Sequence, residues 1–194
     1  MIDDTLRELD NWLKANEPEL YQELQEGLSS QEAGAFEQQL TISLPPEFKK
    51  LLRWRNGQSS DSYDSLFFNF QLMRSDAIAE AVKVHNQLLA SGEYKGNWWN
   101  PGWVPFLDNG GGDHYCIDTA GVGTGEAGQI VWFLHDNAER KVMHHSFGDW
   151  LTTLLESFKA GLPVNSDDFG VDEDDEARYQ AIYERVNKGL PVSL

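Results

Sequence analysis

Four short apolar segments stand close together between Trp103 and His144, and no helix fits between them; this most constrains what the chain can become. They are Trp103-Val104-Pro105-Phe106-Leu107, His114-Tyr115-Cys116-Ile117-Asp118, Gln129-Ile130-Val131-Trp132-Phe133-Leu134 and Lys141-Val142-Met143-His144. β-Branched and aromatic residues dominate them, and glycines gather in the breaks, at Gly110-Gly111-Gly112 and from Gly121 to Gly128. A parallel pair needs a long crossover, so these loops predict an antiparallel meander.

Helical patterns lie on either side. Ile2, Leu6, Leu9 and Leu13 recur at helical spacing behind Asp3 and Asp4, predicting a first helix that ends near Asn16. A short turn of helix is expected after Pro18 and a break at Gly27. Ser29-Ser30-Gln31-Glu32 then has the spacing of a capping box, starting a helix that buries Ala33, Phe36 and Leu40. Leu44-Pro45-Pro46-Glu47-Phe48 opens another, for which Asn56-Gly57 supplies a left-handed stop. Leu66 to Leu72, rich in Phe, is expected to be a strand, and a longer helix runs from Ser75 to Gly92 with Ile78, Val82, His85 and Leu89 on one side. Ser146-Phe147-Gly148-Asp149 starts a helix with Trp150, Leu151, Leu154, Leu155 and Phe158 inward, stopped by Gly161 and Pro163. Seven of the ten residues from Asp167 to Glu176 are acidic, predicting a solvated loop before a last helix that carries Tyr179, Ile182, Tyr183 and Val186. Strands grouped together with helices before and after give an α+β class, a mostly antiparallel sheet with helices packed on one face.

At 194 residues, 40% hydrophobic and with seven Trp, the chain is expected to fold as a single domain, 1–194. MIDDTLREL has neither the basic start nor the apolar middle of a signal peptide, and no run is long enough for a membrane span. Cys116 is the only cysteine, which excludes an internal disulfide and a thiolate zinc site. These features predict a cytoplasmic protein. A net charge of -17, from 32 acidic and 15 basic side chains, repels phosphate backbones and anionic lipid. Direct nucleic-acid or membrane binding is thus disfavoured, leaving either a basic protein partner or a solubility device.

Several motifs need weighing against simpler roles. Gly123-Thr124-Gly125-Glu126-Ala127-Gly128 has the glycine spacing of a dinucleotide site, but it precedes a strand where that chemistry needs a following helix, so a hairpin loop is expected. Gly110 to Gly112 lacks the Gly-Lys-Ser/Thr of a phosphate cradle. Cys116 and His114 share a strand face, a weak signal for a nucleophile and base; a small core residue is the better account of Cys116. Asp113-His114, His135-Asp136 and His144-His145 offer metal ligands, but neighbours on a strand point to opposite faces, and the acidic runs lack the alternation of a calcium loop. No metal or cofactor is therefore expected. Trp98, Trp99 and Trp103 crowd a segment of Asn, Pro and Gly too irregular for secondary structure; they either line an exposed groove or plug the edge of the sheet.

In order, Leu44-Pro45-Pro46-Glu47-Phe48 leading to Asn56-Gly57, Trp103-Val104-Pro105-Phe106 with Gly110 to Asp113, Ile117-Asp118, and Ser146-Phe147-Gly148-Asp149-Trp150-Leu151 resemble the SUKH superfamily. The resemblance covers roughly residues 29 to 160. That superfamily includes fungal cell-wall-assembly regulators and bacterial immunity proteins encoded beside secreted toxins. The resemblance implies an α+β sheet-and-helix fold without catalytic residues, used to bind proteins, with residues 1–28 as a helical extension, 29–163 as the core, and 164–194 as acidic loop and C-terminal helix.

The resulting expectation is a non-catalytic protein-binding module, an immunity protein that sequesters a basic, possibly nuclease, toxin. A regulator or scaffold for cell-wall assembly or signalling is the alternative, and a hydrolase using Cys116 and a histidine the second. Residues expected to meet the partner are Trp98, Trp99, Asp108, Asp113, His114, Asp118 and Asp136, with Asp172, Glu173, Asp174, Asp175 and Glu176 as a second acidic patch.

Overall fold

Helix α1 (Ile2–Asn16) forms because Ile2, Leu6, Leu9 and Leu13 fall on one face, with Asp3 and Asp4 at its positive end. Each leucine buried in this way contributes about 1.5–3 kcal/mol. The computed structural model describes residues 2–123, 126–166 and 172–194. After α1 come α2 (Pro18–Glu23), β1 (Leu24–Glu26), α3 (Ser30–Leu40), α4 (Pro46–Trp54), β2 (Arg55–Gln58), β3 (Gln71–Leu72) and α5 (Ser75–Ser91). The second half holds β4 (Trp103–Asp108), β5 (His114–Asp118), β6 (Ile130–Phe133), β7 (Arg140–His144), α6 (Phe147–Lys159), α7 (Glu173–Val186) and β8 (Val192–Ser193). A six-stranded antiparallel sheet runs β3-β4-β5-β6-β7-β8, and β1 pairs with β2 apart from it. The chain is an α+β protein.

Alternation along the strands divides the interior in two. Tyr115 and Ile117 of β5 and Ile130 of β6 join a large cluster with α1, α3, α4 and α6, in which Phe48, Leu51, Phe106, Phe147 and Trp150 are buried. Cys116 of β5, with Val131 and Phe133 of β6, points the other way, into a smaller cluster with Trp99, Trp103 and Val142. Helix α5 bridges them: Ile78 and Val82 belong to the large cluster, and Leu89 packs on the small one. The segment expected to be an N-terminal extension is part of the large cluster, where Trp12 stacks on Phe158 of α6 at 4.4 Å.

Caps fall where the sequence places them. Ser29 and Glu32 close the capping box on α3, and Ser146 Oγ accepts from Asp149 N at the start of α6. Other expectations need correction. Leu66 to Leu72 is mostly a tight turn: Phe67 and Phe70 exchange backbone hydrogen bonds, Phe68 takes a left-handed φ of 51°, and strand pairing begins only at Gln71. Burial of the aromatics outweighed their strand preference. Asn56-Gly57 does not stop α4, which ends at Trp54 and runs straight into β2. Gly57 has φ of 77° and lets the backbone of Met73 and Arg74 approach where any Cβ would strike it, while Asn56 Oδ1 accepts from Ser75 N at 2.9 Å. That pair seats the start of α5. Glu173 to Glu176 are helical, forming the first turn of α7, not a loop; Asp167 and Asp168 lie outside the described residues.

His144 ties three elements together. Its Nδ1 donates to Asn187 Oδ1 at 2.9 Å, because the Asn187 amide is used on Thr153 Oγ1 of α6 and on Tyr183 O of α7. Burial depresses its pKa from 6.5 to about 3, and burial does the same to His85, to about 4. An unfolded chain takes up these protons below pH 6.5 while the folded one does not, so stability is complete above that pH and falls as pH drops toward the folded values. The expected slope is about 1.4 kcal/mol per pH unit per histidine. Denaturant unfolding between about pH 5 and pH 7.5 should show it, and His144→Gln should flatten the slope; an unchanged slope would refute this account.

Candidate functional site

Register and the adjoining loops put four of the expected contact residues, Asp108, Asp113, His114 and Asp136, at one end of the sheet. Asp108 closes β4 opposite His114 at the start of β5, and His114 faces Phe133 at the end of β6, just before His135 and Asp136. Between Asp108 and Asp113 the chain turns through Gly110 and Gly112, both at positive φ, while Asp108 Oδ1 accepts from Gly110 N and Asn109 Oδ1 from Gly111 N and Asp113 N. The glycine run is a turn. Asp113 in turn accepts from Asn109 Nδ2 at 2.9 Å and, through Oδ1, from both His135 N and Nδ1 at 2.8 Å. Burial alone would raise its pKa, but the His135 contacts prevail and hold it below the usual carboxylate range. The hydrogen bond to Asp113 raises the His135 pKa.

Strand alternation does not separate His135 from Asp136 as expected: both lie past the end of β6, where it no longer applies, and ligating atoms of Asp113, His135 and Asp136 come within 4.8 Å of one another. The Asp113 to His135 hydrogen bonds account for the closeness of those two. His144 and His145 do diverge, the second reaching Lys188 O at 3.1 Å.

Exposure sorts the candidates. Asp136 is exposed; Asp108, Asp113 and Trp98 are half-buried. Trp99, His114 and Asp118 are buried. Burial lowers the His114 pKa, so the neutral ring, with Asp108 Oδ1 at 3.8 Å, forms no bridge. Asp118 sits at the opposite end of the sheet, where its carboxylate accepts from Ala120 N, Gly121 N, Val122 N and Gln129 Nε2. It anchors the loop carrying the glycine spacing at 123–128, of which Thr124 and Gly125 lie outside the described residues. Cys116 is buried, and burial pushes its thiol pKa well up, which removes the thiolate a nucleophile needs.

The tryptophan segment folds over the smaller cluster. Trp99 stacks on His85 at 4.3 Å, meets Trp103 edge-on at 5.7 Å and donates to Asn86 Oδ1. Trp98 stacks on Tyr94 at 6.0 Å, and its carbonyl accepts from the guanidinium of Arg140. Arg140 and His85 were missed as functional candidates: next to Lys141, Arg140 has the sequence look of a solvated basic pair, and only strand alternation from one residue earlier marks it as inward. On α7, Asp172 caps the helix by accepting from Asp174 N, Asp175 pairs with Arg178 at 2.7 Å, and Asp172, Glu173, Asp174 and Glu176 are exposed.

An antiparallel sheet with helices over its larger core, acidic hairpin loops at one end and a tryptophan lid on the other face defines an α+β domain of the SUKH kind. The chain belongs to the SMI1 / KNR4 family (SUKH-1), whose model matches residues 27–153. It is 23% identical over 198 residues to a cell wall biosynthesis/cell cycle regulator of Schizosaccharomyces pombe, covering 90% of this chain and 38% of that protein. A glucan synthesis regulatory protein of Neurospora crassa is 22% identical, with 79% of this chain and 37% of the relative covered. The cell wall assembly regulator SMI1 of Saccharomyces cerevisiae is also 22% identical, over 84% and 42%. The chain thus spans about two-fifths of each relative. No helix among the described residues is long and apolar enough to cross a membrane.

Proposed function

We propose that this chain is a non-catalytic protein-binding module that recognises a basic partner through Asp108, Asp113 and Asp136, with Trp98 beside them and the first turn of α7 as a second, steering patch. The observation that carries the proposal is the convergence of the three carboxylates at one end of the sheet. A chain carrying -17 overall adds long-range attraction for a basic surface. Sequestering a basic toxin is one use of such a surface. A regulatory scaffold is the other, and the names of the related fungal proteins favour it.

A pull-down followed by binding kinetics tests the module. Screening shortens electrostatic reach to roughly 8 Å at physiological salt, so raising salt from about 50 to 500 mM should slow association on the order of tenfold and change dissociation much less. Asp136→Lys, exposed and outside the loop's hydrogen bonds, should slow association and speed dissociation; lysines at Asp172 and Asp174 should mainly slow association. Salt-independent association with tolerance of both sets would leave the acidity as a solubility device. A toxin domain in the captured partner, or in the neighbouring gene, selects immunity over regulation.

A further inference from the structure

Arg140 is 1% exposed, yet every hydrogen-bond partner it has among the described residues is a main-chain carbonyl. Nε and Nη2 donate to Trp98 O at 3.1 and 2.9 Å, and Nη1 donates to Glu139 O at 2.8 Å and to Asn137 O. The guanidinium lies 4.3 Å from the Phe133 ring centre and 5.5 Å from that of Trp98. These dipoles and ring faces solvate the cation; no carboxylate among the described residues is in ion-pair contact with it, and Asp113 attracts it only from a distance. Buried charges are ordinarily paired, since an unpaired one carries a large desolvation penalty. Of the five guanidinium hydrogens, the bonds above use four. The indole Nε1 of Trp103, 2% exposed, likewise has no acceptor among the described residues.

Both residues line one cleft of about 390 Å3 on the smaller cluster's side of the sheet, with Asn97, Trp99, Val122 and Leu194. Its size falls in the range of small-molecule sites, and its walls combine aromatic and aliphatic surface with a full positive charge and an unused donor. We propose that this cleft binds a small organic carboxylate with an apolar body, the carboxylate taking the unpaired charge of Arg140 and the indole hydrogen of Trp103 while the body packs between Trp99 and Leu194. This ligand site adjoins the β6–β7 loop, whose Asn137 and Glu139 carbonyls accept from Arg140, and its occupancy would fix the tryptophan segment that Arg140 holds through Trp98 O.

Phenylacetate is the probe, titrated into the 15N-labelled full chain while the indole and arginine Nε signals are followed. 2-Phenylethanol supplies the same body without the charge, acetate the charge without the body, and sodium chloride the matched ionic strength. A saturable shift of the Trp103 indole signal is expected, with a dissociation constant of about 0.1–5 mM for phenylacetate and binding at least about tenfold weaker for either control. Arg140→Gln should weaken phenylacetate about tenfold or more and leave 2-phenylethanol unchanged. Trp103→Phe, which keeps a ring and removes the N–H, should weaken phenylacetate about threefold; should Arg140→Gln fail to fold, this variant and the two control ligands decide. No saturable shift up to about 50 mM, equal binding of 2-phenylethanol, or full affinity in either folded variant would overturn the proposal.

Discussion

Replacing Trp150 with alanine should cost about 3–5 kcal/mol of folding stability, the range for emptying a large aromatic from a packed core. Trp150 is fully buried on α6, edge-on to Phe106 at 5.0 Å and to Phe67 at 6.1 Å, and 5.3 Å from Phe147. Those neighbours come from the Phe67–Phe70 turn, from β4 and from α6 itself, so the cavity opens where three parts of the fold meet. Set against the ~5–15 kcal/mol that holds a domain together, the loss is a large fraction. The Trp150 indole nitrogen has no acceptor among the described residues, so Trp150→Phe, which removes an unpaired donor and keeps a ring, should cost markedly less. Guanidinium unfolding of the two variants measures the difference. A loss below about 1 kcal/mol for the alanine variant would show that α6 does not pack as described.

The second large effect is expected at Asp118. Alanine there leaves four donors without their acceptor: Ala120 N and Val122 N, at 2.9 and 2.6 Å, together with Gly121 N and Gln129 Nε2. Hydrogen bonds to a charged group are worth about 1.5–3 kcal/mol each, and the loop can recover part of that from water, which gives a net loss of about 3 kcal/mol. Asp118→Asn keeps one acceptor oxygen but turns an amide toward main-chain donors, and should fall between alanine and the parent. A variant that kept its stability yet lost partner binding would restore Asp118 to the contact surface.

Asp118 also shows why the candidate site was only partly legible in the sequence. An aspartate at the end of an apolar strand has the same local pattern whether it faces solvent or gathers the amides of the next loop, and only the path of residues 119 to 122 separates the two. Helices were legible because their information is local: α1, α3, α5 and α6 carry apolar spacing and end signals within a few residues of each other. The antiparallel meander followed from short loops and period-two alternation. Hidden from that logic were β1, β2 and β8, strands of two to four residues whose pairing depends on distant segments, and Gly57, whose positive φ serves a close approach by Met73 and Arg74. The spacing of the tryptophans leaves groove and plug open; the structure packs Trp99 and Trp103 into the smaller cluster over the face of the sheet, beside a half-buried Trp98.

The sheet's flanks bear on how any partner can engage. Both outermost strands, β3 and β8, are two residues long, and Leu194 N reaches back to Arg140 O at the rim of β7. Edges this short offer few free amides and carbonyls to an incoming strand, so the domain is poorly suited to annealing with extended peptides or with copies of itself. Such blunted edges leave few main-chain groups through which a chain with 40% apolar residues could pair strand to strand.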